Sequence, residues 1–270
     1  MSIKELRESV KVAERNKKVI AVTGNEGSVG KTIIGLLTTG VYKYLDTPLA
    51  KFTLDKHHQE LMYVYGEYSS KGVLVDTEKQ DPIKGVAHFD VREDGRKSID
   101  IIGQADLKGV DILLDYPADG IDEINKLPSI ESYVKVHKMM KRDILYIVPI
   151  VTVDKSIASA EALISTFDGI AIENIKFLFV FNEGLMGKNK KEVHQAFAKS
   201  VTIQDMIAQG QASTMTIRTK LEPSAVALIK SKTFEQLKKM NDEGKIDLFD
   251  WCLIEELVND FEKDFLPHLI

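Results

Sequence analysis

The chain has 270 residues, 44% of them hydrophobic and 29% charged, the balance of a globular protein able to bury a core without disulfides or structural metals. Its single cysteine, Cys252, excludes an internal disulfide and a cysteine-rich metal site, which fits a reducing, cytoplasmic setting. A net charge of -5 argues against a surface that binds nucleic acid everywhere; the charged start does not read as a secretory signal, and no apolar run approaches the ~20 residues that cross a bilayer.

In chain order, residues 4–16 are predicted as a short charged helix. Residues 18–23 form an apolar, β-branched run that predicts a strand; a glycine-bearing turn follows, and residues 32–45 have the pattern of a helix. Residues 49–54 are a second apolar run. Residues 66–105 are less regular: 85–92 alternates as a strand and 93–97 has turn composition, which predicts an extra hairpin. Apolar runs return at 111–115, 144–152 and 175–181, with helical spacing at 157–167 and 190–197. Nearly continuous apolar strands alternating with helices predict an α/β fold, a three-layer sandwich with a mostly parallel sheet covered on both faces. We expect one domain over 1–270, with its core in 17–240 and an amphipathic helix in 241–270. In that last helix Trp251, Ile254, Val258, Phe261 and Phe265 form an apolar stripe, and Asp250, Glu255, Glu256, Asp260, Glu262 and Asp264 are polar neighbours. The acidic sign is wrong for anionic lipid, so packing on the domain or docking to a protein is expected, and membrane binding is not.

The turn after the first strand carries the chemistry. Gly27, Ser28, Val29, Gly30, Lys31 and Thr32 sit between a β-branched strand and an apolar helix, the context in which a glycine turn cradles phosphates. Successive backbone N–H groups and a helix N-terminus point at the anion, the lysine neutralises the outer phosphates, and the Ser/Thr hydroxyl binds Mg²⁺. The general pattern G-x-x-x-x-G-K-[ST] would place its first glycine at Asn25; here the glycines are Gly24 and Gly27. ATP and Mg²⁺ are the expected cofactors, with Lys31 also assigned a catalytic role.

Two carboxylates close neighbouring strands. Asp115 ends the run at 111–115 and leads into Tyr116-Pro117-Ala118-Asp119-Gly120, where a Mg²⁺-holding aspartate belongs; a plain turn is the competing reading. Asp55 ends the second strand, from which a water-positioning carboxylate can reach beyond the γ-phosphate, and a capping aspartate is the competing reading. Asn182 ends the run at 175–181, and its amide offers both a donor and an acceptor to a base edge, though asparagine also ends strands for turn reasons. The adjacent His57 and His58 would point in different directions, and no transition metal is predicted.

The loop, Asp55, Asp115-x-Pro-Ala and Asn182 occur in the chain order of the ParA/MinD family of deviant P-loop ATPases, which this chain resembles over residues 26–182. Within it the chain looks most like the StbB-like plasmid-stability and TraL-like conjugative-transfer branch. The loop is similar to the family's K-G-G-x-G-K-[ST], with Ser28 in place of one glycine. The family's distinctive lysine, which reaches a partner's phosphates across a dimer, falls at Glu26, where a glutamate must turn away or protonate. Asp55 matches the second aspartate of the family's D-x-D-P-Q-x, with Thr53 where the first would be, and Asp119 is inserted into D-x-P-A-G. The resemblance implies an ATP-driven switch that forms a homodimer and engages DNA or a partition or transfer protein in plasmid or DNA segregation, positioning or conjugation. It also implies an adenine-reading role for Asn182. For DNA phosphates, Lys188, Lys190, Lys191, Lys230, Lys232, Lys238 and Lys239 are candidates, against the alternative of solvated helix faces. A small-molecule kinase or ligase on the same fold, and a nucleotide-binding module with little or no hydrolysis, remain as alternative functions.

Overall fold

A computed structural model describes residues 3–12, 16–55, 59–93, 109–127 and 129–269. Seven strands form one sheet: β1 (Lys17–Val22), β2 (Leu49–Thr53), β3 (Ala87–His88), β4 (Asp111–Asp115), β5 (Arg142–Ile150), β6 (Ile175–Asn182) and β7 (Ala212–Ile217). Their order is β3-β2-β4-β1-β5-β6-β7, and every pairing is parallel. The helices are α1 (Ile3–Val12), α2 (Lys31–Tyr44), α3 (Glu60–Tyr65), α4 (Gly120–Asn125), α5 (Ile130–Met139), α6 (Lys155–Ser165), α7 (Glu183–Met186), α8 (Lys190–Lys199), α9 (Val201–Ala208), α10 (Pro223–Ile229), α11 (Phe234–Asp242) and α12 (Leu248–Phe265).

The strands are apolar on both faces because both are covered. In β1, Val19 and Ala21 enter one hydrophobic cluster with Ile112, Leu114, Ile144, Tyr146, Phe177 and Phe179. Ile20 and Val22 enter the other, with Leu113, Leu145, Leu178 and residues of α2 and α12. Alternation along a strand sends neighbours to opposite faces, and each fully buried Val, Leu or Ile contributes roughly 1.5–3 kcal/mol. This is the three-layer α/β architecture expected from the apolar runs. Ile254, Leu257, Phe261 and Phe265 of α12 are buried in the second cluster, so the apolar stripe is the inner face of a packed helix. Across the chain Arg7 of α1 forms a two-point ion pair with Glu262 of α12 and lies over the ring of Tyr44.

Within the segment 85–92, Ala87 and His88 form a strand that pairs in parallel with Phe52 and Thr53 at the edge of the described sheet, and the rest of the predicted hairpin, after residue 93, lies outside the described residues. Beyond His88 the chain leaves the strand, and the remaining alternation comes from Phe89 and Val91, whose side chains are buried. The predicted turn at 93–97 lies beyond residue 93, outside the described residues, as do His57, His58 and positions 13–15 of the first helix. Strand β7 was not among the apolar runs, because Ala212–Ile217 carries Ser213, Thr214 and Thr216 on an edge strand.

The end of the sheet away from the phosphate loop is stitched by buried polar groups. Asp111 at the start of β4 accepts from the backbone N–H of Lys18 (2.7 Å) and from the Tyr42 hydroxyl (2.6 Å). Arg142 at the start of β5, also buried, donates to the carbonyl of Val110 at 2.8 Å and faces the Asp111 charge. Removing one member leaves the others buried and unmatched, which is costly. Asp111→Ala should therefore lower the unfolding free energy by about 3 kcal/mol in urea denaturation, and a loss under about 1 kcal/mol would contradict this reading.

Candidate functional site

In the order above, β1 is flanked by β4 and β5, and the chain moves to opposite sides of β1 to reach β2 and β5. The crevice at the C-terminal ends of strands at such a reversal is where open α/β sheets bind ligands. The loop between β1 and α2 sits there. Thr23 continues the β1–β5 pairing by donating to the Ile147 carbonyl at 3.0 Å. The backbone then turns through left-handed conformations at Ser28 (φ 60) and Gly30 (φ 96), and α2 starts at Lys31. A Cβ on Gly30 would lie 2.6 Å from the Asn182 amide nitrogen, so space as well as φ demands glycine there. Ser28, a non-glycine residue, holds this left-handed conformation at a cost of about 1 kcal/mol. Helix α2 has no side-chain cap and no acidic residue in its first turn, so its N-terminal N–H groups and positive dipole end are left for an anion.

Asn25, where the general motif has glycine, braces the loop. Its N–H donates to Ser159 Oγ of α6 (2.9 Å), its side-chain amide donates to Asp122 (2.7 Å), and its carbonyl oxygen accepts from the Ile121 N–H (3.0 Å). Glu26 turns away from the cradle: its Oε2 accepts from the Thr152 hydroxyl at 2.9 Å, in the turn between β5 and α6. Its carboxylate is thus met by a hydroxyl of the turn that follows the neighbouring strand β5.

Lys31 is buried and its ammonium donates to the carbonyls of Glu26 (2.5 Å) and Gly24 (3.3 Å). Burial pulls its pKa down, opposed by the charges of Asp115, Asp55 and Glu26. Asp115 ends β4 between Val22 of β1 and Thr53 of β2, and packs over Gly35 of α2. Burial pushes its carboxyl up to about 7, despite the opposing pull of Lys31; Glu60 and Asp55 push it the same way as burial.

Lys31, Thr32, Asp55, Asp115 and Asn182 line one cavity of about 440 Å³, together with Gly27, Ser28 and Gly30 of the loop. The same cavity is lined by apolar Leu185, Ile217, Leu221, Val226 and Leu257, with Lys220 and Lys230. Val29 differs: its side chain is buried and its carbonyl accepts from the Asn182 amide at 3.3 Å, so it holds the loop on the end of β6. Part of Asn182's donor capacity is thereby spent on the loop itself.

Three features were not assigned from sequence. Lys230 pairs with Glu60 at 3.1 Å, spanning from α3 to the end of α10 on the cavity wall. The buried Thr219 hydroxyl finds no hydrogen-bond partner among the described residues, and Thr219 lines the same cavity. Arg92 donates to both carboxylate oxygens of Asp119 (2.8 and 2.9 Å) and lies 3.7 Å from Asp55. None of these pairings is local in sequence, so no spacing could reveal them. Among the basic candidates, Lys190 pairs with Glu183, Lys230 with Glu60 and Lys239 with Glu243, which places them in mixed-charge surfaces.

No protein-family model and no curated protein matches the chain. Among solved structures it is similar to the MinD cell division protein of Aquifex aeolicus, at 17% identity and a TM-score of 0.47, covering 93% of this chain and 97% of that one. The MinC:MinD cell division protein complex of Aquifex aeolicus gives 16% identity and a TM-score of 0.47, covering 93% of this chain and 96% of that one. A nucleotide-binding protein in complex with ADP from Archaeoglobus fulgidus gives 13% identity and a TM-score of 0.41, covering 100% and 97%.

The raised Asp115 pKa has a consequence for stability. The folded protein binds this proton more tightly than the unfolded chain, so stability falls as pH rises from the ordinary carboxylate range through about 7. Between about pH 5 and about pH 8 the wild type should lose on the order of 2 kcal/mol relative to Asp115→Asn, measured by chemical denaturation. A pH-independent difference between the two would show that Asp115 is not held in this way.

Proposed function

We propose that this chain is a ParA/MinD-like nucleotide switch that binds ATP on the loop at 26–32 and hydrolyses it. The observation that carries the reading is the start of α2: an uncapped helix opening on left-handed Ser28 and Gly30, with Lys31 and Thr32 facing two buried-end aspartates in one cavity. This arrangement suits a polyphosphate. The backbone N–H groups and the dipole of α2 bind the phosphate oxygens, and Lys31 exchanges its two carbonyl acceptors for the outer phosphates.

The residues present also fit Mg²⁺. Asp115 is buried with only Lys31 to favour its charged form, and a divalent cation would supply the missing positive charge. Thr32 and Asp115 would hold the ion, with phosphate and water oxygens completing a shell that needs no protein cage. When bound, Mg²⁺ neutralises charge developing on the transferred phosphate. Asp55 stands at the end of β2 on the same cavity wall and orients the attacking water. Leu185, Leu221, Val226 and Leu257 cover the base, with Asn182 presenting its free carbonyl oxygen and remaining N–H to the adenine edge.

In this reading turnover drives segregation, positioning or transfer of plasmid or other DNA, through a homodimer and a partition or transfer protein. Glu26 changes how such a dimer could work. A carboxylate cannot do a lysine's work at a partner's phosphates, and this one is engaged by Thr152, so any activation across a dimer must use a cation from elsewhere in the chain.

Calorimetry and phosphate-release assays with Mg²⁺-ATP test the proposal, alone and with DNA. Lys31→Ala should weaken ADP binding at least about 100-fold, and unchanged affinity would remove the site. Asp55→Ala should leave ADP affinity within about threefold and slow hydrolysis about 100-fold; a full rate would dismiss its role. Glu26→Ala should leave ADP affinity within about threefold, since its charge is turned from the cavity, and a large gain in affinity would contradict that geometry. Turnover that needs a small acceptor instead of water would favour a kinase or ligase.

A further inference from the structure

We infer that Arg92 is a positioning residue that brackets the loops leaving β2, β3 and β4 and holds Asp55 at the phosphate end of the cavity. The inference deepens the proposed hydrolysis and rests on it. Its basis is local: after β3, Phe89 donates to the Thr53 carbonyl (3.3 Å) and Val91 to the Leu54 carbonyl (3.5 Å), so the segment runs beside the exit of β2. The side chains of Phe89 and Val91 are buried in the core and fix the base from which Arg92 reaches.

The guanidinium then uses its whole fork. Nε and Nη2 donate to the two oxygens of Asp119, at 2.9 and 2.8 Å, at the start of α4. Nη1 faces Asp55 at 3.7 Å and Asp90 at 3.9 Å, distances of charge attraction more than of hydrogen bonding. Asp119 is 40% exposed, but Asp55 and Asp90 are only 9% exposed, so water screens those two contacts poorly. One side chain thus ties three loops, each through its own carboxylate, and each loop follows a different strand.

The charges explain why the reaction needs it. Asp55 and Asp115 share the cavity, and Asp90 and Asp119 stand near Asp55; among the described residues Lys31 and Arg92 act on Asp55, and Lys126 also acts on Asp119. When Lys31 turns to phosphate, Arg92 stays beside Asp55. A lysine could supply the charge but not two parallel bonds to Asp119 with a third group free for Asp55.

The test compares wild type, Arg92→Ala and Arg92→Lys in ATP hydrolysis and in ADP calorimetry, both with Mg²⁺. Arg92→Ala should lower kcat about tenfold to a hundredfold while ADP affinity stays within about threefold, and Arg92→Lys should recover part of the loss. Asp119→Asn, which weakens the bracket without touching Arg92, should lower kcat by a smaller factor and keeps the test open should Arg92→Ala not fold. Wild-type kcat in Arg92→Ala overturns the inference, and so does a fall in ADP affinity that matches the fall in kcat. A wild-type protein that binds ADP but never hydrolyses ATP sinks the hydrolysis reading itself, and this role for Arg92 with it.

Discussion

A buried ammonium can be held only where the backbone and neighbouring carboxylates compensate it, and the C-terminal edge of this sheet is organised around that demand. Lys31 is the first residue of α2, so its position depends on where the helix starts. The helix start depends in turn on the left-handed turn at Gly30, which Asn182 closes off from the end of β6. Asn25 ties the other side of the loop to α4 and α6, and Glu26 ties it to the turn after β5. The loop is therefore attached to elements on both faces of the sheet, and the apolar clusters on those faces set its shape.

Strand β4 shows how burial and partners divide one residue type into two roles. Asp111 at its start has a backbone N–H and a tyrosine hydroxyl as donors and faces Arg142, so its charge is met inside the fold. Asp115 at its end is as deeply buried, yet its pKa rises to about 7 because Lys31 alone does not offset burial and the charges of Glu60 and Asp55. The first arrangement joins strands. The second leaves a perturbed carboxyl in the cavity beside Lys31, the kind of group on which the proposed function rests.

The parts legible in sequence were those written locally. Strands β1, β2, β4, β5 and β6 are covered on both faces and so read as apolar runs, and the order of strand, glycine turn and helix marked Lys31 and Thr32. Edge strands are weaker signals: β7 carries Ser213, Thr214 and Thr216 and gives no apolar run, and in β3 just Ala87 and His88 pair with β2. The direction of Glu26 depends on Thr152, and the bracket of Arg92 on Asp119 and Asp55. These are contacts that the crossovers of a parallel sheet create, between residues that no periodicity relates.

The most direct measurement is a crystal structure with Mg²⁺ and a non-hydrolysable ATP analogue. The account requires the phosphates to lie over the N–H groups of residues 27–32, with the Lys31 ammonium moved from the carbonyls of Gly24 and Glu26 onto the outer phosphates. An analogue bound elsewhere, or a Lys31 that keeps its two carbonyl acceptors while nucleotide fills the cavity, would contradict it.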